Sequence, residues 1–208
     1  MKRLLIVLVL VYSTFFSSAL SEIKVGIVLG FTGPIESLTP LMADSAELAL
    51  KEASNSEVFL NGKKITPIRA DSTCSDVDAA TKAAEDVIAQ GVIALIGAVC
   101  LEETKSILLE SALPNEIVMI SPAATSPALT NLENKGFFFR TTASESRGGE
   151  ILADITKDNK IKKIAITYTN DDSGKTLATV YKKAVEKYGI KITISLPYEF
   201  GKTDFSSE

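Results

Sequence analysis

The sequence predicts an α/β fold built on parallel sheets, and three observations predict it. Short β-branched apolar runs alternate with longer stretches whose apolar residues recur at helical spacing. Gly, Pro and Asn punctuate the changes of period. The series of alternating elements restarts after residue 140, which predicts a second layered unit rather than a longer first one.

The first run, Ile23 to Leu29, ends in Gly30 and reads as a strand buried on both faces. After the turn at Gly33 and Pro34, residues Met42, Ala46, Ala49, Leu50 and Ala53 fall on one face of a helix. Asn61-Gly62 turns the chain into a second strand from Lys64 to Ala70. Asp76 can cap a helix whose apolar face is Val77, Ala80, Ala84, Val87 and Ile88, and Gly91 stops it before the strand Val92 to Ile96. Glu102 to Leu113 reads as a third helix with acid at its positive end, broken by Pro114 and Asn115. Ile117 to Ser121 is a fourth strand, and the polar loop Pro122 to Asn131 follows it. The order β-α-β-α-β-α-β implies a parallel sheet with helices on both faces. A short aromatic strand, Phe137 to Arg140, precedes the second series. That series has a helix from Ser144 to Asp158, a strand from Lys162 to Tyr168, a helix from Ser173 to Tyr188 and a strand from Ile190 to Leu196.

The amino terminus does not belong to this pattern. Lys2 and Arg3 precede an unbroken apolar run from Leu4 to Tyr12, and small residues around Ala19, Leu20 and Ser21 follow it. This is the layout of a cleaved export signal, and the run is too short to cross roughly 30 Å of hydrocarbon. Residues 1–21 are therefore expected to be removed, 22–140 to form a first, ligand-binding lobe, and 141–208 to begin a second one. Removal would leave 20 basic against 26 acidic groups. In an oxidising compartment the two cysteines, Cys74 and Cys100, are expected to pair; two buried thiols are the alternative.

Composition excludes several chemistries. The 208 residues include no histidine, so imidazole-based nucleophilic triads and imidazole metal ligands are ruled out. The formal net charge of -4, with lysines and arginines scattered, argues against a nucleic-acid partner. No cofactor or metal site is expected. Three local features are read as structural. Ser173-Gly174-Lys175-Thr176 resembles the end of a phosphate-binding loop, but Thr169 stands where that motif needs glycine. Glu102 and Glu103 diverge on a helix surface and suit its amino end. Asn170, Asp171 and Asp172 lack the spacing of a calcium loop. The hydroxyl and acidic residues at the carboxyl end, Thr203 to Ser206, are placed like the start of a capped helix that does not follow, and the chain is expected to be a fragment.

Four segments carry a resemblance: ISPAATSPALT (Ile120 to Thr130), FRTT (Phe139 to Thr142), IKVGIVLGFTGP (Ile23 to Pro34) and TDFS (Thr203 to Ser206). In this order they resemble the periplasmic leucine/isoleucine/valine-binding protein family, the type I solute receptors of branched-chain amino-acid ABC transporters. The resemblance implies two Rossmann-like lobes with parallel sheets, the second incomplete here, and a disulfide between the positions of Cys74 and Cys100. It implies an exported, periplasmic, monomeric receptor that binds an amino acid or a related small molecule and delivers it to a membrane permease.

A carboxylate needs hydroxyls or free N–H groups, and an ammonium needs carbonyl acceptors. The loop after the fourth strand offers both, with the hydroxyl and N–H of Thr125 as donors and the carbonyl of Ala123 as acceptor, and with Ser121 and Ser126 as second choices. Val99, Leu101, Leu38 and Ser173 are expected to line the pocket. Leu38, Leu101 and Ser173 stand where the family commonly has an aromatic, a serine and a tyrosine, so the ligand can differ from leucine. A sensor domain of the same fold, and a secreted enzyme working through carboxylates, are the alternative readings.

Overall fold

The computed structural model describes residues 22–56, 63–199 and 201–206. The expected export signal and the Asn61-Gly62 turn lie outside these residues. Among the described residues seven strands and five α-helices alternate. They are β1 (Ile23–Leu29), α1 (Thr39–Asn55), β2 (Ile65–Asp71), α2 (Val77–Ala89), β3 (Val92–Gly97), α3 (Leu101–Ser106), β4 (Val118–Ser121), β5 (Phe138–Arg140), α4 (Ser146–Asp158), β6 (Lys163–Thr169), α5 (Asp172–Lys187) and β7 (Lys191–Tyr198). A π-helical stretch, Ile107–Ala112, continues α3, and a short 3-10 turn, Pro127–Thr130, lies between β4 and β5.

The first five strands form one all-parallel sheet in the order β2-β1-β3-β4-β5. An interior strand, β1, shows why the sequence reads as two-sided. Ile27 and Leu29 are fully buried with Ala43 of α1, whereas Val28 points to the opposite face and packs with Ala80 and Ala84 of α2. Both faces of β1 are thus covered, as a run of consecutive β-branched residues requires. Leu95, Met119 and Leu108 complete the larger core on the α2 side. The second sheet pairs β6 with β7 in parallel, and its core is Ala153 of α4 with Ala184, Val185 and Ile190.

Boundaries shifted where local chemistry outweighed apolar period. Helix α1 starts at Thr39, three residues before the first periodic residue, because Pro40 is tolerated in a first turn and the Thr39 hydroxyl donates to Gly30 O at 2.7 Å. The third helix tightens into a different ladder. Leu113 N–H donates to Leu108 O at 2.9 Å, a bond one residue longer than the α-helical one, so its second half is π-helical. Asp76 caps α2 as expected, accepting from Ala79 N–H at 2.9 Å. No helix among the described residues is long and apolar enough to cross a membrane.

Candidate functional site

In a parallel sheet all strands deliver their carboxyl ends to the same edge, and the loops leaving that edge meet there. In this protein the edge opens into a cavity of about 620 Å³. Ile35 comes from the loop after β1, Cys74 and Ser75 from the loop after β2, Val99 to Glu103 from the loop and helix after β3, and Ala124 to Ser126 from the loop after β4. Asp171 and Ser173, which follow β6, close the far side.

The Cys74–Cys100 disulfide is present, with Cα atoms 5.5 Å apart, and it ties the loop after β2 to the start of α3 on the cavity wall. Glu103 lies against it: its carboxylate and the two sulfurs fall within 4.8 Å of one another. Bridged sulfurs offer no thiolate, so this trio is not a metal centre as it stands.

The loop after β4 is held from three directions. Ser121 is fully buried, donates to Ala98 O at 2.5 Å and accepts from Ala124 N–H at 2.9 Å. The Ser126 hydroxyl accepts from Ala128 N–H at 3.3 Å and starts the 3-10 turn. Arg140, paired in register with Ser121, reaches under the loop. Its guanidinium donates to Ala124 O at 3.3 Å, Ser126 O at 2.8 Å and the Thr130 hydroxyl at 2.7 Å. The SPAAT and FRTT segments are therefore one unit, a loop and its brace.

Thr125 is half-buried on the cavity wall, and its hydroxyl donates to the Glu145 carboxylate at 2.6 Å. A hydroxyl has one proton and two lone pairs, so in this state it can only accept from a solute. It was expected to donate to a carboxylate; a group 20 residues away has taken that proton.

The remaining candidates divide. Val99, Leu101 and Ser173 line the cavity with Thr125. Ala123 is half-buried beside that wall without being part of it, and its N–H points back to Ser121 at 3.4 Å. Ser121 is a correction: its hydroxyl is sealed in the core and fully engaged, so it positions the loop and does not meet a ligand. Leu38 is also a correction. It is exposed at the start of α1, while Pro34 and Ile35 of the same loop take the wall position. The three features read as structural also resolve. Asp171 accepts from Gly174 N–H at 2.7 Å and caps α5, and Asn170 donates to Glu199 at 2.8 Å. Glu102 and Glu103 do diverge, Glu102 toward Lys105 at 3.2 Å and Glu103 into the cavity wall.

Asp71 organises the neighbouring rim. Its carboxylate accepts from Phe31 N–H at 2.8 Å, Thr32 N–H at 3.2 Å, Thr73 N–H at 2.9 Å and the Thr32 hydroxyl at 2.5 Å. Burial pushes against the charge, but the four donors together outweigh it and hold the carboxyl below the usual carboxylate range. At Glu103 burial dominates and lifts the carboxyl above that range; its own backbone N–H pulls the other way, and the like charges of Glu102 and Asp76 add smaller upward contributions. Sequence reasoning missed the site roles of Asp71, Arg140, Glu145 and Glu103. A lone Arg ending a very short strand was the available signal for the brace.

Comparison with known proteins agrees with this architecture. The model of a family described as "Periplasmic binding protein" matches residues 22–208. The chain is 30% identical over 199 residues to the "Leu/Ile/Val-binding protein homolog 3" of Brucella melitensis, covering 93% of this chain and 52% of the relative. A solved ABC transporter substrate-binding protein from Desulfitobacterium hafniense, in complex with Leu, is 27% identical, with a TM-score of 0.68 over 88% of this chain and 52% of that one. A solute-binding protein from Rhodopseudomonas palustris, in complex with 3,4-dihydroxybenzoic acid, shares the fold at 21% identity, with a TM-score of 0.77 over 89% of this chain and 50% of that one. The chain spans about half the length of the curated relatives it matches.

Proposed function

The chain belongs to the periplasmic binding protein family, and from that membership we propose that it is an extracytoplasmic solute receptor of an ABC transporter. It binds a small amino-acid-like molecule without transforming it and presents it to a membrane permease. The observation that carries this reading is the cavity at the carboxyl edge of the five-stranded sheet, walled by the braced Thr125 loop and faced by Ser173. Pre-ordering by Arg140, Ser121, Pro122 and Pro127 reduces the entropy lost when a solute is held.

In this reading residues 22–140 are the first lobe and 141–208 belong to the second. Contacts from both sides, Thr125 and Leu101 on one and Ser173 on the other, favour a closed state when the solute is bound. The relatives named for Leu, Ile and Val support an amino acid as ligand. The hydroxyl of Thr125, with its proton given to Glu145, and the carbonyl of Ala123 are acceptors for its ammonium. The layout of an export signal at residues 1–21 and the Cys74–Cys100 bridge support action outside the cytoplasm.

Thermal-shift screening followed by calorimetry of the full-length protein, against amino acids, amides and organic acids, tests the proposal. One stoichiometric solute, recovered unchanged, is expected. Chemical turnover would favour the enzyme alternative, and failure of every amino-acid-like solute to bind would overturn the receptor reading.

A further inference from the structure

Among the described residues, the cavity wall carries three carboxylates, Glu102, Glu103 and Asp171, and no lysine or arginine. Two of the three have a partner: Glu102 pairs with Lys105 through Oε2, its Oε1 being buried without one, and Asp171 caps α5. Glu103 is different. It is only 4% exposed, yet the one donor to its carboxylate is its own backbone N–H, and no cation is paired with it. A carboxylate withdrawn from water without a counter-charge is costly. The ionisable groups around it make the deficit larger. Glu102 stands next to it on α3, and Asp76 approaches from the start of α2, both acidic. The uncharged disulfide also lies against it. Glu103 lines the cavity, so a positive partner can reach it from there.

We propose that Glu103 is a ligand-contacting, specificity-determining carboxylate, and that the solute is a basic amino acid, with a cationic nitrogen on its side chain in addition to its α-amino and α-carboxylate groups. This rests on the solute-receptor reading and narrows it. The cationic nitrogen supplies the counter-charge that the fold withholds from Glu103, while the Thr125 loop takes the amino-acid head. The apolar stems of Val99, Leu101 and Ile35 accommodate the methylene chain between the two. An apolar Leu101 and a buried acid two positions later both suit a long aliphatic chain with a charged tip.

Calorimetry of the full chain with L-lysine and L-leucine, for the native protein and for Glu103→Gln, tests the inference. The native protein is expected to bind lysine at least roughly tenfold tighter than leucine, and Glu103→Gln to abolish that preference. Since glutamine is isosteric and relieves a buried charge, the variant is expected to melt no lower than the native protein. A second readout is independent of affinity. On the acid side, where the raised carboxyl of Glu103 carries a proton, lysine binding displaces that proton, so the apparent enthalpy depends on the buffer's ionisation enthalpy in the native protein and not in Glu103→Gln. Lysine no tighter than leucine, or a preference that survives Glu103→Gln, overturns the inference and leaves the receptor reading standing. Binding of neither amino acid overturns both.

Discussion

The hydroxyl of Thr125 donates to the carboxylate of Glu145 at 2.6 Å, and the N–H of Glu145 returns a bond to the Thr125 carbonyl at 3.0 Å. This reciprocal pair joins the loop at the sheet edge to the residue that precedes α4, so the site and the crossover to the second sheet are one hydrogen-bonded unit. Thr125→Val is expected to weaken solute binding by about 1–3 kcal/mol, because an acceptor facing the solute disappears. Calorimetry on the full-length protein measures it, and unchanged affinity removes Thr125 from the site. Denaturant unfolding of Thr125→Val, Glu145→Gln and the double variant should show a coupling of about 1 kcal/mol; additive effects would mean that the pair contributes nothing in solution.

The disulfide contributes to stability through the unfolded chain. Closing a loop across a separation of 26 residues favours the folded state by roughly 3 kcal/mol on the chain-entropy account. Reduction, or Cys74→Ser combined with Cys100→Ser, should lower the unfolding free energy by about that amount. Because both sulfurs line the cavity wall, the same change should weaken solute binding. Equal stability in oxidising and reducing buffer would contradict the prediction.

Acid should destabilise the protein in part through Asp71. Its folded carboxyl lies below the unfolded value of about 3.9. Its stabilising contribution is therefore complete above that unfolded value and is lost as the pH falls through the folded one. Asp71→Asn should flatten the stability profile below about pH 4, and should cost stability at neutral pH because the charged acceptor is gone. Urea unfolding across that range checks both. A profile of identical slope would assign the acid sensitivity elsewhere.

Gly174 is required by a close approach. A Cβ there would stand 2.2 Å from the Thr169 hydroxyl and 2.4 Å from the Thr169 carbonyl oxygen. Gly174→Ala must displace the end of β6 or the start of α5, and with it Ser173 at the cavity wall. A loss of about 2 kcal/mol or more in unfolding free energy is expected. Unimpaired stability would show that the turn yields without cost. The Ser-Gly-Lys-Thr sequence thus serves the first turn of α5, since Gly174 N–H is taken by the capping carboxylate of Asp171.

The alternation of strands and helices was legible because burial on two faces forces consecutive apolar residues at β1, whereas a helix packed on one face needs them only at every third or fourth position. The hydroxyl-bearing loop after β4 was legible for a topological reason: parallel strands bring every such loop to one edge. The start of α1 and the π-helical continuation of α3 were not, because both depend on individual hydrogen bonds, from Thr39 to Gly30 and from Leu113 to Leu108, that leave the apolar period unchanged.

By itself the amino-acid sequence determined the layered α/β plan, the cysteine pairing that the bridge now displays, and the loop from which Thr125 meets the cavity. Only the tertiary structure decided which way individual polar groups face. Packing turned the Ser121 hydroxyl inward to Ala98 and Ala124, gave the proton of Thr125 to Glu145, placed Leu38 outside the wall, and left Glu103 buried beside the disulfide without a counter-charge. Periodicity encodes how often a residue meets the core. The partner of a hydroxyl or a carboxylate depends on atoms brought together from distant parts of the chain, and no local pattern carries that information.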